Sequence, residues 1–321
     1  MARHYTLDEL ALLSGASKDQ ISTWAREGKL GALPANGTGV PTYGFEQAER
    51  AVALGGRVTR RRISVVNQKG GVGKTTTVFT LAAAMAELGR RVLAVDLDAQ
   101  ANLTSSFGYD PDTLDLTSED LLTDERTAAE DVILETAIEG VHLIPADIKL
   151  CRADVKIQEM FLRELILQNK LRHLFGHYHA ILFDCPPNLS RVTINALLAS
   201  DEVVVPVETQ SYSIKALSDL TSTFSLIRAK MNHALRVWIL PTKVDRTSAL
   251  ATEFLRALQQ SFGDRMLPGV SADPDIVKAP MVYEPVVRSF PDSTSAGEYR
   301  RLARFLTLPD ADRDTEAKKR G

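Results

Sequence analysis

Eight consecutive residues, Lys69-Gly70-Gly71-Val72-Gly73-Lys74-Thr75-Thr76, restrict this 321-residue chain more than anything else in it. They are entered from the apolar stretch Ile63-Ser64-Val65-Val66. Gly70, Gly71 and Gly73 lack Cβ, so the backbone can take positive φ and turn its N–H groups inward, with the positive end of the next helix behind them. Such a loop is a phosphate cradle. Lys74 is placed to meet the β and γ phosphates and the Thr75 hydroxyl to ligate Mg²⁺. Gly70, Gly71, Val72, Gly73, Lys74, Thr75 and Thr76 are therefore the candidate nucleotide-binding residues. The usual pattern, G-x-x-x-x-G-K-[ST], fails at its first position, where Gln68 stands, and a second lysine, Lys69, precedes the glycines.

Two further segments supply carboxylates. Arg91 to Asp98 reads as a buried strand that delivers Asp96 and Asp98 to its C-terminal end, where ligands bind in doubly wound sheets. Ala180-Ile181-Leu182-Phe183-Asp184-Cys185-Pro186-Pro187 repeats that layout, and Asp184 fits an aspartate that holds Mg²⁺ directly or through water. Either carboxylate alone could be a helix cap or a turn residue. Together with the phosphate loop, in this chain order, Thr75 and Asp184 are candidates for the metal and Asp96 and Asp98 for the other carboxylates of the site.

Around these segments apolar strand-like runs alternate with helical ones, which predicts an α/β fold, a doubly wound and mostly parallel sheet with helices on both faces. Strands are expected near Ile63–Val66, Val92–Val95, Val141–Ile144, Ala180–Phe183, Val203–Val207 and Val237–Leu240, and helices near Thr76–Leu88, Lys156–Phe175 and Ser213–Ala229. Pro111 to Glu130 reads as a short helix with loops, and Asp310 to Gly321 as a disordered tail.

These residues resemble the deviant Walker A ATPases of the ParA/MinD superfamily, and within it the ParA partition proteins. The resemblance runs from about Arg62 to about Leu306. It rests on Lys69 to Thr77, Asp96-Leu97-Asp98-Ala99-Gln100-Ala101-Asn102, Asp184-Cys185-Pro186-Pro187, Val205-Pro206-Val207-Glu208, Thr242 with Asp245-Arg246-Thr247, and Tyr299 with Leu302-Ala303. It implies a homodimer that sandwiches ATP, with catalytic roles for three residues: Lys69 crossing to the partner's nucleotide, Lys74 binding phosphate in cis, and Asp98 positioning the attacking water. It further implies that Asp96 and Asp184 organise magnesium and its waters, and that Thr242 and Asp245 border the nucleotide. Thr242-Lys243-Val244-Asp245 also resembles a guanine-reading pattern, which leaves GTP as an alternative to ATP.

A different module opens the chain. Thr6 with Glu9, and Ser17 before Lys18 to Arg26, are N-cap signals for two helices, and Ala11, Leu12, Ile21 and Trp24 can form a shared core. The wording resembles the helix-turn-helix of MerR-type regulators, with a wing over Gly28 to Tyr43 and a further helix over Phe45 to Ala53. Residues 1–56 are then a DNA-binding domain, 57–62 a basic linker holding Arg57, Arg60, Arg61 and Arg62, and 63–309 the ATPase. Lys18, Gln20, Ser22, Thr23 and Arg26 are the candidate DNA-reading residues. Residues 1–62 carry 9 Lys+Arg against 6 Asp+Glu, a net of +3, in a chain whose total is −3, so the positive end coincides with this module.

The chain shows neither an 18-residue apolar run nor an apolar signal segment after Met1-Ala2-Arg3-His4, so a cytoplasmic, nucleoid-associated protein without membrane contact is expected. Cys151 and Cys185 make neither a disulfide framework nor a metal set. Leu267 to Pro285 offers only Lys278 where many ParA relatives carry arginines for sequence-independent DNA binding. The expected function is DNA partition: an ATP-bound dimer holds DNA until a centromere-binding, ParB-like partner stimulates hydrolysis, and the amino-terminal module represses an operon. Two alternatives are a nucleotide-switched transcription regulator and a positioning ATPase for a protein cargo.

Overall fold

The structure is a computed structural model that describes residues 3–31, 42–209 and 214–313, with the side chains of 214–216 outside the description. Seven strands form one sheet: β1 (Arg61–Val65), β2 (Val92–Asp96), β3 (Leu134–Glu135), β4 (Val141–Ile144), β5 (Ala180–Asp184), β6 (Glu202–Glu208) and β7 (Arg236–Thr242). Their order is β3-β4-β2-β5-β1-β6-β7, parallel except for the two-residue β3 at the edge. The six expected strands are all present; β3 was too short to leave a pattern.

Parallel strands covered on both sides read as continuous apolar runs, since each alternate residue enters a different core. In β2, Val92 and Ala94 join the core beneath helix α4 (Lys74–Ala86), whereas Leu93 and Val95 face the opposite one. In β5, Ala180 and Leu182 divide from Ile181 and Phe183 in the same way. Helix α4 packs against the C-terminal helix Thr294–Leu306, where the hydroxyls of Thr77 and Tyr299 lie 3.4 Å apart.

Three expectations change. The single helix over Lys156–Phe175 is instead Ala153–Gln158, Ile166–Leu171 and a 3₁₀ turn, Arg172–Gly176, with Leu162 at φ 50° in the break. The cause is Asn195. Its amide donates to the Arg163 carbonyl at 2.8 Å and its carbonyl accepts from Leu167 N–H at 3.1 Å, taking both groups of the i→i+4 bond a continuous helix would make. Second, the tail does not begin at Asp310: Asp310 to Arg313 form a helical turn and Arg313 is fully buried. Its guanidinium donates to both oxygens of Glu202, at 2.6 and 2.5 Å, between the rings of Trp238 and Phe305. Residues 314–321 lie outside the described residues.

Third, the end of the basic linker is part of the sheet, while Arg57 and Arg60 stay exposed. Arg61 and Arg62 belong to β1; Arg61 pairs with Asp310 and donates to the Leu308 carbonyl, and Arg62 forks onto Asp201 over the Phe175 ring. The amino-terminal module therefore has no free tether. Helices α1 (Leu7–Ser14) and α2 (Lys18–Arg26) start at the expected caps Thr6 and Ser17; Thr6 makes the capping box with Glu9, Ser17 makes a further one with Gln20, and α3 (Phe45–Leu54) follows. Leu10, Ile21, Leu30 and Tyr43 make the module's core with Tyr5, and Ala11 and Trp24 pack against it; Leu12, expected inside, is 60% exposed. Of the expected wing, residues 32–41 lie outside the described ones; Tyr43 pairs with Tyr5 in an antiparallel bridge.

The module sits on the ATPase at the N-terminal ends of the strands. Tyr5 donates to the Ala86 carbonyl at the foot of α4, Glu49 pairs with Arg91 before β2, and the Phe45 ring lies over Gly140 before β4. A Cβ on Gly140 would stand 2.2 Å from that ring, so the contact requires glycine twice, for space and for a φ of 82°.

Candidate functional site

The opposite edge of the sheet carries the chemistry. β1 runs into the loop 66–73, and Gly73, at φ 95°, starts α4. A Cβ built on Gly70 or Gly71 meets no protein atom within 4 Å. The glycines are therefore not demanded by packing; they leave backbone N–H groups uncovered toward open space, as a phosphate cradle needs. The back of the loop is held by two side chains. Thr242, at the end of β7, donates to the Val72 carbonyl at 2.8 Å, while Asn67 donates to the Pro206 carbonyl at 2.6 Å and accepts from Lys69 N–H at 3.0 Å.

Lys74 is 7% exposed, and its ammonium donates to the Lys69 carbonyl at a long 3.5 Å. A buried ammonium so weakly satisfied suits an anionic ligand. Thr75 and Thr76, in the first turn of α4, are half-buried beside it. Parallel pairing sets Asp96 opposite Asp184. Both are buried, yet they differ. Asp96 accepts from Thr104 N–H and Oγ1, at 2.9 and 2.7 Å, and from Asp98 N–H at 3.1 Å; burial still lifts its carboxyl to about 6. Neither oxygen of Asp184 has a hydrogen-bond partner of ordinary geometry. Burial and then the Asp96 charge push its carboxyl well above the usual carboxylate range, and the nearby Thr75 hydroxyl and Lys74 ammonium offset this only in part.

An orphaned carboxylate beside a hydroxyl and an ammonium, at the mouth of the loop, fits a divalent cation and its phosphate. Among the described residues no three His, Cys, Asp or Glu side chains form a metal-binding group. That composition suits Mg²⁺, which is held by one or two protein oxygens, waters and the phosphates of its nucleotide. Asp98, half-buried, accepts from Gln100 N–H at 3.0 Å, which keeps its carboxylate at the rim of the site.

Lys69 stands beside the cradle, 3.5 Å from Glu208 at the end of β6; Lys243 approaches the same carboxylate at 3.4 Å. Asp245 is turned into its own loop, accepting from Thr247 N–H and Oγ1 at 2.9 and 2.6 Å, and these bonds hold its carboxyl below the usual range. Gly70 to Thr76, Asp96, Asp98, Asp184 and Thr242 thus converge with Lys69 at one edge, with Asp245 three residues beyond β7. Sequence reasoning missed Asn67, Thr104 and the brace in which Arg246 and Ser271 share Glu298 of the C-terminal helix. Thr104 lies eight residues past the carboxylate it holds, with no local signal of the contact.

The five candidate DNA-reading residues lie far from this edge, on α2. At roughly 100° per residue, Lys18, Ser22, Arg26 and Thr23 share an arc opposite Ile21, which is buried. Gln20 falls off that arc: its carbonyl accepts from Ser17 N–H at 2.8 Å as part of the cap. Lys18 pairs with Asp8, Ser22 and Thr23 bond back to the carbonyls of Lys18 and Asp19, and Arg26 donates to Thr23. Lys18 and Arg26 remain exposed. No described helix is long and apolar enough to cross a membrane.

Comparison with known proteins covers the ATPase part. An AAA domain family matches residues 60–237. Sporulation initiation inhibitor protein Soj of Bacillus subtilis is 36% identical over 244 residues, 75% of this chain and 96% of that protein. Chromosome partitioning protein ParA of Caulobacter vibrioides is 31% identical over 261 residues, 80% of this chain and 97% of that one. A structure described as cobyrinic acid a,c-diamide synthase from Mycobacterium smegmatis, with bound ATP analogue and magnesium, superposes with TM-score 0.68 at 31% identity, covering 77% of this chain and 94% of that one. The AAA match starts at residue 60, leaving the amino-terminal module outside it.

Proposed function

The chain belongs to the ParA/Soj/MinD family of deviant Walker A ATPases, and on that premise we propose that it is a DNA-partition ATPase that uses Mg²⁺ and ATP to switch between DNA-bound and released states. The observation that carries this reading is the pairing of a second lysine, Lys69, with a complete phosphate edge in which Asp184 is left without a hydrogen-bond partner.

Bound Mg²⁺ and ATP would supply the scissile phosphoanhydride and a cation to neutralise it. Gly70 to Gly73 present backbone N–H groups to the phosphates, and Lys74 draws charge toward the β and γ positions. Thr75, Asp96 and Asp184 hold the cation and its waters, and Asp98 orients the attacking water. Lys69 reaches a second protomer's nucleotide, so ATP binding and dimerisation are one event. The dimer holds duplex DNA through phosphate contacts, with an affinity that falls steeply with salt. A ParB-like partner stimulates hydrolysis, and the amino-terminal module binds an operator through Lys18, Ser22, Thr23 and Arg26.

The test compares binding to a non-specific duplex with ATP, with ADP and without nucleotide, for the native chain and Asp98→Ala. ATP-dependent binding that Asp98→Ala prolongs is expected. Equal binding in all nucleotide states refutes the switch and leaves the regulator reading. Because Phe45 and Tyr5 pack into the ATPase, removing residues 1–56 would bare its core; Lys18→Ala with Arg26→Ala separates operator binding from bulk binding instead.

A further inference from the structure

We propose that the cavity between the amino-terminal module and the ATPase, lined by Arg57, Arg90 and Arg304, is a phosphate-binding site distinct from the nucleotide loop. The cavity measures about 200 Å³ and is walled by Leu12 and Leu13 of α1, by Leu88, and by Thr307, Leu308 and Pro309 at the end of the C-terminal helix. No Asp or Glu lines it.

Arg90 is the reason to expect a ligand. It is 5% exposed, and its Nε and Nη1 have no hydrogen-bond partner. A guanidinium is charged at any physiological pH and carries five donors, so burying it without an acceptor is costly. Burial and the like charge of Arg57 pull its pKa down to about 10, and no carboxylate counters them. The nearby acids are occupied elsewhere: Glu49 by Arg91, and Glu87 by Arg3 and Arg300. Arg57 and Arg304 are exposed at the cavity's mouth. Three cations converging without an anion match the planar, multi-donor recognition of phosphate.

The position has a consequence for the module. Gly89 brings the turn before β2 against Ala48 of α3, where a Cβ would stand 3.1 Å from the Ala48 backbone, and Arg57 lies against Gly15, which ends α1 before the turn into α2. A phosphate held here touches both bodies at once. It therefore fastens the module to the ATPase next to the turn that feeds the DNA-reading helix, and a duplex backbone or a free phosphate could provide it.

Thermal unfolding of the full chain tests this, with the nucleotide loop filled by Mg²⁺ and a non-hydrolysable ATP analogue. Inorganic phosphate is compared with chloride at equal ionic strength, and a duplex is titrated at several salt concentrations. The variants are Arg90→Met and the surface pair Arg57→Gln/Arg304→Gln. Native protein should gain melting temperature with phosphate or with duplex. Arg90→Met should melt higher than native without phosphate and lose the response. The surface pair, which no folding defect should compromise, should lose the response and melt no lower than native without phosphate, since it also removes the like charge beside Arg90. If the duplex is the source, the slope of log K against log salt falls by about one for each contact removed; a phosphate response with an unchanged slope identifies a free phosphate. Phosphate and duplex responses equal in native protein and both variants overturn the proposal.

Discussion

Asp184→Asn should make the nucleotide-free protein more stable and the Mg²⁺-nucleotide complex less so. In the native chain a buried carboxylate has no hydrogen-bond partner and faces Asp96 across β2 and β5. Leaving such a group unsatisfied costs about 1–3 kcal/mol, more when charged. The amide keeps the shape but not the charge, so the nucleotide-free variant should gain about 1–2 kcal/mol, or about 2–8 °C for a domain of this size. Mg²⁺-ADP at a hundred times its dissociation constant stabilises the native protein by about 2.7 kcal/mol, and the variant should lose most of that. The pH dependence has a definite sign. A carboxyl whose folded pKa is raised contributes stability that is present below its unfolded value near 4 and is lost as pH rises through the folded pKa, about 6 for Asp96 and raised likewise for Asp184. The variant's advantage should thus be larger at pH 8 than at pH 5, shrinking as the pH falls and native Asp184 takes up its proton. Differential scanning calorimetry with and without Mg²⁺-ADP at pH 5 and 8 measures all four quantities. A nucleotide-free variant that melts lower than native, or a gap independent of pH, would refute the reasoning.

Glu208→Gln loosens the cis hold on Lys69; a half-buried pair at a long 3.5 Å contributes about 1 kcal/mol or less, so stability should barely change while ATP-dependent dimerisation strengthens up to about fivefold by sedimentation velocity, and unchanged or weaker dimers count against the role of Lys69. Gly140→Ala drives a methyl into the Phe45 ring at a φ of 82° and should cost about 1–3 kcal/mol. Amide exchange should then rise in α1 to α3 while nucleotide affinity holds, and exchange confined to β4 contradicts the docking. Arg313→Ala leaves buried Glu202 with the Trp238 indole N–H, which donates to it at 2.6 Å, and with Arg61 at 3.6 Å, and should cost about 3 kcal/mol in urea unfolding, partly restored by adding Glu202→Gln; a neutral Arg313→Ala would mean the buried fork is not formed in solution.

What the sequence reveals is local. The six parallel strands, both helix caps and the whole phosphate loop are written in adjacent residues, because propensity, caps and glycine φ act within a few positions. What it conceals depends on distant partners. Nothing near Arg163 and Leu167 announces that Asn195 will take their helical bond, and Arg313 sits in a polar, charged stretch whose partner is 111 residues earlier. The arginines at 57–62 read equally as linker or surface until Asp201, Asp310 and the Leu308 carbonyl are brought to them. The difference between Asp96 and Asp184 is of the same kind: both end an apolar strand, but only one meets a threonine.

The placement of the two ends of α4 then bears on how nucleotide and DNA could communicate. Its first residue, Lys74, belongs to the phosphate edge, and its last, Ala86, accepts the Tyr5 hydroxyl of the amino-terminal module. Thirteen residues at 1.5 Å each span about 20 Å, far beyond the reach of a screened charge at physiological salt. The nucleotide's field is therefore weak at α2, and the stronger routes are α4 and the strands as a rigid body or, in the proposed dimer, the distance between the α2 helices of two protomers. Because the module is clamped by Phe45, Tyr5 and Glu49 instead of swinging on a linker, the proposed dimerisation at the phosphate edge would set that distance, and with it the spacing of any two half-sites the pair of modules could occupy.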